Sequence, residues 1–362
     1  MEKNIKLSKF GILLLMILFS LPPNVFTQNN KKAVSKPLFR DPVYDGAADP
    51  AIIWNHKEKK WFMFYTNRRA NAEGLDGVSW VHGTRIGIAE SADGGCTWKY
   101  RDTCDIQYRL TTGYTHWAPA VVEHNRVYHM FLTYVPGIFN NWSHPRRIIH
   151  LTSKNLINWE FESRLNLSSE RCIDACVFRL PDGTWRMYYN NENDGKSIYY
   201  ADSPDLYKWT DSGKKVVGDR AGEGLNVFYW HEKYWMAVDN WNGIGIYHSE
   251  DLVNWTRQEK SILQEPGTGE DDKVKGGHPD VVVNGDKAYI FYFTHPGRTP
   301  VNKGKDNYET RRSSIQVAEL EYLDGQITCD RNKPVYIKLN PQKMGKNNSY
   351  AVKATIYILF AS

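Results

Sequence analysis

The chain has 362 residues, a formal net charge of +5 and 14% aromatic residues. The charge is mild and dispersed, and no basic run is interleaved with aromatics, which excludes nucleic acid as the partner. The length is enough for a sizeable core in a single domain.

Residues 1–28 read as a targeting segment. Lys3, Lys6 and Lys9 make a positive start, Phe10–Leu21 an apolar run, and Val25-Phe26-Thr27 an imperfect cleavage region. The apolar run is shorter than the ~18 residues that span a bilayer. The expectation is a secreted or periplasmic chain with no transmembrane span in its mature form. Residues 29–37 follow as a mostly polar linker.

From residue 38 to 340 the sequence repeats itself. An opening apolar strand recurs as ADPAIIW (48–54), WAPAVV (117–122), a run at 174–179, EGLNVFYW (223–230) and HPDVVV (278–283). An aromatic second strand recurs at 61–66, 127–134, 184–189, 234–238 and 288–293, and a third at 85–91, 147–153, 197–201, 243–249 and 314–320. A Ser-x-Asp-Leu-x-x-Trp turn closes four of the copies, with tryptophans at 98, 159, 209 and 255. Short strands bounded by turn residues are the β signature. Five copies of a unit of ~40–50 residues predict an all-β, five-bladed β-propeller with four-stranded antiparallel blades. A lone sheet cannot bury both faces, whereas a radial array buries each face against a neighbour. The tail, 341–362, ends in an apolar run that suits ring closure against the first blade or a partner surface.

Five cysteines are present. Export permits disulfides, and Cys96 and Cys104 flank a turn and are candidates to pair. Cys172 and Cys176 are ~13 Å apart if extended, too far to bridge, and read as small buried residues. No spacing resembles a zinc site.

Chemistry is expected where the repeats break their own rule. Aligning the first residue of each opening strand gives Asp49, Ala118, Asp174, Glu223 and His278. The opening strands lie nearest the axis, so these positions ring one mouth of the channel. A turn alone does not require carboxylates there, since Ala118 fills the same place. Each residue also has a plain structural reading, as turn, cap, loop acid or buried histidine. Asp280, two residues deeper, is out of phase. Two carboxylic acids facing a sugar suit glycoside hydrolysis: one protonates the leaving oxygen and the other deprotonates water, ~6.5–9.5 Å apart for inversion and ~5–5.5 Å for retention. A third carboxylate nearby raises the proton affinity of the acid.

The series ADPAII, WAP, IDACVF, EGLNVF and GGH, in that order, resembles glycoside hydrolase family 43 over roughly residues 40–325. Similar propellers occur in related families, including the neoagarooligosaccharide hydrolases of family 117. The resemblance implies an inverting hydrolase in which Asp49 is the general base, Asp174 the pKa modulator and orienter, and Glu223 the general acid, with no cofactor required. His278 matches a channel histidine that in many members lies near an axial water or calcium. A structural calcium near His278 is therefore allowed, although no ligand run such as the EF-hand loop supports one. Two departures bear on the substrate: Ala120 stands where many members carry an acid, and Leu225 where proline is frequent.

In a propeller the loops from second to third strands emerge on the same face as the opening-strand starts. Here they are 66–84, 134–147, 190–196, 239–243 and 294–313, three of them long, and long ordered loops are usually functional. The substrate-binding candidates are Trp80, His82, Trp142, Arg146, Trp241, His295 and Arg298, with His116 and Trp117 just before the second opening strand and His278 in the ring. Arg68, Arg69 and His144 share these loops. Aromatic rings stack on sugar faces and arginines hold acidic groups, so a carbohydrate substrate with an anionic group is expected. Long walls favour a pocket and exo action. The alternatives are a non-catalytic glycan-binding propeller, and a glycosidic-bond phosphorylase, against which Asp49 argues by repelling phosphate.

Overall fold

The computed structural model describes Met1 and residues 32–342. The expected leader (but for Met1), residues 29–31 and the tail from 343 lie outside the described residues. Five antiparallel sheets follow one another along the chain, each ordered from first to fourth strand. The first strands are Ala47–Asn55, Thr115–His124, Cys172–Arg179, Glu223–Trp230 and Gly277–Asn284. Each packs against the first strand of the next blade, and the fifth returns to the first. Blade 2 carries one addition, a short strand Asp105–Ile106 that pairs in parallel with Asn158–Arg164.

The physical cause of the ring is visible in the core. Five apolar clusters fill the five blade–blade interfaces, and the second strands supply the largest side chains. Trp61, Trp185 and Trp235 are almost fully buried, as are Tyr65, Tyr188, Tyr189, Tyr289 and Tyr292. Each such ring hides roughly 150–250 Å², on the order of 4–6 kcal/mol at ~25 cal/mol per Å² as an upper bound.

The closing turns are self-capped. Ser203 Oγ accepts the Leu206 N–H at 2.9 Å, and Asp205 Oδ1 accepts those of Tyr207 and Lys208 at 2.9 and 2.8 Å. Ser249 and Asp251 repeat the pattern at Leu252, Val253 and Asn254. Leu156, Leu206 and Leu252 take φ of 65, 70 and 63° there. That conformation is strained for leucine, and it is held because all three side chains are buried.

The last blade is tied to the first from both ends of the chain. Leu38 and Phe39 bond to Ile315 at 2.9–3.2 Å, and Lys36 Nζ reaches Asp272 Oδ2 at 2.6 Å. From the other end, Val335, Ile337 and Leu339 enter the cluster between blades 5 and 1. All five cysteines are free. The expected Cys96–Cys104 pair does not form because Cys104 packs in the interface of blades 1 and 2, while Cys96 lies against that of blades 5 and 1. Among the described residues no helix is long and apolar enough to cross a membrane.

Candidate active site

Every first strand slips register once, near its start: between Ala48 and Ala51, Trp117 and Ala120, Ile173 and Cys176, Glu223 and Asn226, and Gly277 and Asp280. The residue at the slip takes positive φ in each blade: Asp49 55°, Ala118 45°, Asp174 55°, Gly224 53° and His278 41°. The ring therefore holds Gly224 where Glu223 is expected, and Glu223 precedes it by one residue. Alignment by residue type slips here, because the repeat runs A-D-P-A, W-A-P-A, I-D-A-C, E-G-L-N and G-H-P-D. Glycine fits blade 4 for a steric reason: a Cβ on Gly224 would lie 2.5 Å from His278 Nδ1. Glu223 consequently sits nearer the mouth, its side chain 28% exposed against 5% for Asp49.

The N–H groups at these slips bond from blade to blade. Ala118 N–H donates to Thr66 Oγ1 at 2.9 Å, Asp174 N–H to Thr133 Oγ1 at 3.1 Å, Gly224 N–H to Asp174 Oδ2 at 2.9 Å, and His278 N–H to Asp239 Oδ2 at 2.9 Å. Buried backbone donors are thus satisfied by the preceding blade, and the carboxylates inherit a fixed geometry.

Asp49, Asp174, Glu223, Asp239 and His278 open into one cavity of ≈ 660 Å³. Their environments differ. Burial alone would raise the Asp49 carboxyl, but Arg68 and then His278 outweigh it and hold it below the usual carboxylate range. Arg68 Nη2 lies 2.9 and 3.2 Å from the two Asp49 oxygens, and His278 Nδ1 lies 3.4 Å from Oδ1. Asp174 is pushed up to about 7, chiefly by burial; His278 opposes this, while Glu223 and Asp49 add to it. Asp239 is raised to about 6 by burial and by Glu223. Both oxygens of Glu223 are engaged: Trp241 Nε1–H donates to Oε1 at 3.0 Å and Lys196 Nζ to Oε2 at 3.1 Å. One carboxylate in the cavity is therefore held ionised while another stays protonated towards neutrality.

The loops place most of the expected residues on the cavity wall. Trp80, Trp117, Trp142, Arg146, Trp241, His278, His295 and Arg298 all line it. His82 and His116 do not line it. His82 is buried behind Trp117 and Trp142, with Nε2 2.8 Å from His144 Nε2 and Nδ1 3.0 Å from the Val78 carbonyl, so it braces the wall. His116 neighbours Trp117 on one strand, and alternation turns it to the opposite face, where it packs on Tyr114 and Tyr134. Sequence reasoning missed Arg171, Glu192, Lys196 and Asp239, which also line the cavity. Glu192 collects Lys196 at 2.9 Å and also pairs with Arg146. Glu192 and Lys196 carry a signal, as charges within the short loop 190–196, whereas Arg171, just before the first strand of blade 3, and the lone charge of Asp239 carry none.

Below the mouth the axial channel narrows to ≈ 110 Å³ between Pro50, Pro119, Ala175, Asn226 and Asp280. Asp280 accepts the Ile52 N–H at 2.7 Å and the Asn226 amide at 2.8 Å, pinning blades 1, 4 and 5 together. Asp280 is committed to those two donors, and among the described residues no three His, Cys, Asp or Glu side chains group to hold a metal.

No protein-family model and no curated protein sequence matches the chain. Solved structures do. A thermostable family-43 glycoside hydrolase superposes with a TM-score of 0.60 at 18% identity, over 85% of this chain and 99% of the other. The α-L-arabinofuranosidase from Lactobacillus brevis gives 0.60 at 14%, over 83% and 98%. A family-43 β-1,3-galactosidase with galactodeoxynojirimycin gives 0.59 at 16%, over 82% and 97%. The chain thus has the five-bladed β-propeller architecture found in family-43 glycoside hydrolases.

Proposed function

We propose that the chain is a secreted or periplasmic glycoside hydrolase of the family-43 kind, inverting and acting on chain ends, with a substrate that carries an anionic group. Asp49 is the general base, Glu223 the general acid, and Asp174 the group that orients the acid and sets its proton affinity. The observation that carries this reading is the pairing of opposite electrostatics in one cavity, with Asp49 held ionised beside Arg68 and Asp174 pushed up to about 7. Asp174 also holds the Gly224 N–H, adjacent to Glu223, which suits an orienting role. A water near Asp49 gives up its proton as it attacks the anomeric carbon, and Glu223 gives its own to the departing oxygen.

Inversion follows from the resemblance, export from residues 1–28, and exo action from the long loops that wall the cavity. The xylosidase, arabinofuranosidase and galactosidase named among the structural neighbours support glycosidic-bond hydrolysis. Arg298 supports the anionic group. Among the described residues it forms no ion pair: its Nε–H goes to the Thr310 carbonyl, and its guanidinium lies 5.9 Å from the Trp80 ring centroid at the cavity wall.

The test is a panel of neutral and acidic oligo- and polysaccharides, with the first-formed anomer followed by NMR. Asp49→Asn and Glu223→Gln are expected to lower kcat/KM by about 10²–10⁴-fold while sugar binding persists. Cleavage unchanged by both substitutions, or sugar binding by the wild type without any cleavage, would contradict the reading. Equal turnover of a neutral analogue would remove the anionic group from it.

A further inference from the structure

Asp239 belongs to none of the repeat's catalytic motifs, yet it touches both halves of the site. It ends the second strand of blade 4, Lys233–Asp239, and its side chain is buried. Among the described residues it forms no ion pair; it accepts two backbone N–H groups instead. Oδ1 takes that of Trp241 at 2.7 Å, and Oδ2 takes that of His278 at 2.9 Å. Gly277 makes room for it, since a Cβ there would come within 2.5 Å of Oδ2.

Both partners lead directly to the proposed acid and base. Trp241 has φ of 55°, a strained conformation for tryptophan, and the Asp239 contact helps to hold it. So held, its indole N–H meets Glu223 Oε1 at 3.0 Å, and its ring centroid lies 5.0 Å from Lys196 Nζ. His278, anchored through its backbone, brings Nδ1 to 3.4 Å from Asp49 Oδ1. We propose that Asp239 is a positioning residue that, through Trp241 and His278, sets the orientations of Glu223 and Asp49 together. The role of Glu223 as an acid rests on the proposed function; the geometric coupling does not.

The arrangement also distinguishes the two oxygens of Glu223. Oε1 is committed to an indole, a donor that cannot accept a proton back. Oε2 shares Lys196 with Glu192, which lies 2.9 Å from the ammonium.

The coupling is read without turnover from the indole N–H resonances of the purified chain carrying ¹⁵N-labelled tryptophan, with Trp241 assigned by its loss in Trp241→Phe. Glu223→Gln and Asp239→Ala are each expected to shift the Trp241 resonance towards that of a free indole. If Asp239→Ala does not fold, Asp239→Asn serves, because an amide keeps one acceptor and turns an NH₂ towards the other N–H. A resonance unmoved in the folded Asp239 variants overturns the proposal, whether or not the chain cleaves any glycoside. For the acid half, Trp241→Phe keeps the ring and removes the donor. It should slow an alkyl glycoside about tenfold or more beyond whatever loss the matching dinitrophenyl glycoside shows, since the latter needs no acid and reports only the lost wall contact. Equal slowing of both overturns the acid-orienting role. A wild type that cleaves neither counts against the hydrolase reading, and the indole shift then decides the coupling alone.

Discussion

Asp49 and Asp174 occupy the same place in blades 1 and 3. Both have φ of 55°, and both side chains are buried at the same cavity. Their proton affinities nonetheless move in opposite directions. Burial acts on both, but Asp49 has a cation beside it, Arg68, while Asp174 has the anions Glu223 and Asp49, and the neighbouring loops place the cations. Two residues beyond Thr66, which faces Ala48 across the strands, blade 1 has Arg68. Two residues beyond Asn190, which faces Ile173, blade 3 has Glu192. Arg68 turns to Asp49, whereas Glu192 draws the nearby cations, Arg146 and Lys196, to itself. The repeat sets where a carboxylate sits, and the loop after the second strand sets which charges stand beside it.

The sharpest way to break this contrast is to remove Arg68. Arg68→Met leaves Asp49 buried without its cation, and breaking such a pair costs about 3–5 kcal/mol. Burial then raises the Asp49 carboxyl, so the loss of thermal stability should be greatest near pH 7.5 and smaller at pH 5, where the carboxyl takes up a proton. The acidic limb of any pH–activity profile should move upward. Thermal melts at the two pH values check the first point and the rate profile the second.

A smaller effect is expected from the backbone on which the contrast rests. Gly224→Ala places a side chain at φ of 53° and against His278. It should lower stability by about 1–3 kcal/mol and weaken the Asp174 contact with the Gly224 N–H, read by denaturant melts.

The wild type carries a pH effect of its own. A carboxyl whose proton affinity rises on folding binds more protons in the native state, so stability falls as pH climbs from the unfolded pKa to the folded one. For Asp174 that window runs from about 4 to about 7, and Asp239 and Asp280, each raised to about 6, act in the same sense. Tm should therefore fall between pH 5 and 7.5, and Asp174→Asn should flatten that fall. The smallest effect is none at all. With all five cysteines free, a reductant should leave Tm unchanged, and a drop of several degrees would mean that a disulfide had been broken.

The fold was legible because its cause is written in the sequence five times. Period-two apolar strands, aromatic second strands and the Ser-x-Asp-Leu-x-x-Trp turn each reappear in the structure where the repeat puts them. Asp49, Asp174 and His278 were legible for the same reason. Glu223 was found by residue type but assigned one position late, since nothing in EGLN shows which residue takes positive φ until the steric demand of His278 is seen. His82 and His116 were misplaced because loop membership does not give side-chain direction. Asp239 was invisible, since its importance lies in two backbone N–H groups, His278 and Trp241, that only the folded chain brings to it.

The most direct test of the central claim is a pH titration of the Asp49 and Asp174 carboxyl carbons by ¹³C NMR, assigned with Asp49→Asn and Asp174→Asn. The account predicts that Asp49 titrates below the ordinary carboxylate range and Asp174 near pH 7. Two carboxyls that titrate together near pH 4 would show that the cavity does not divide their roles.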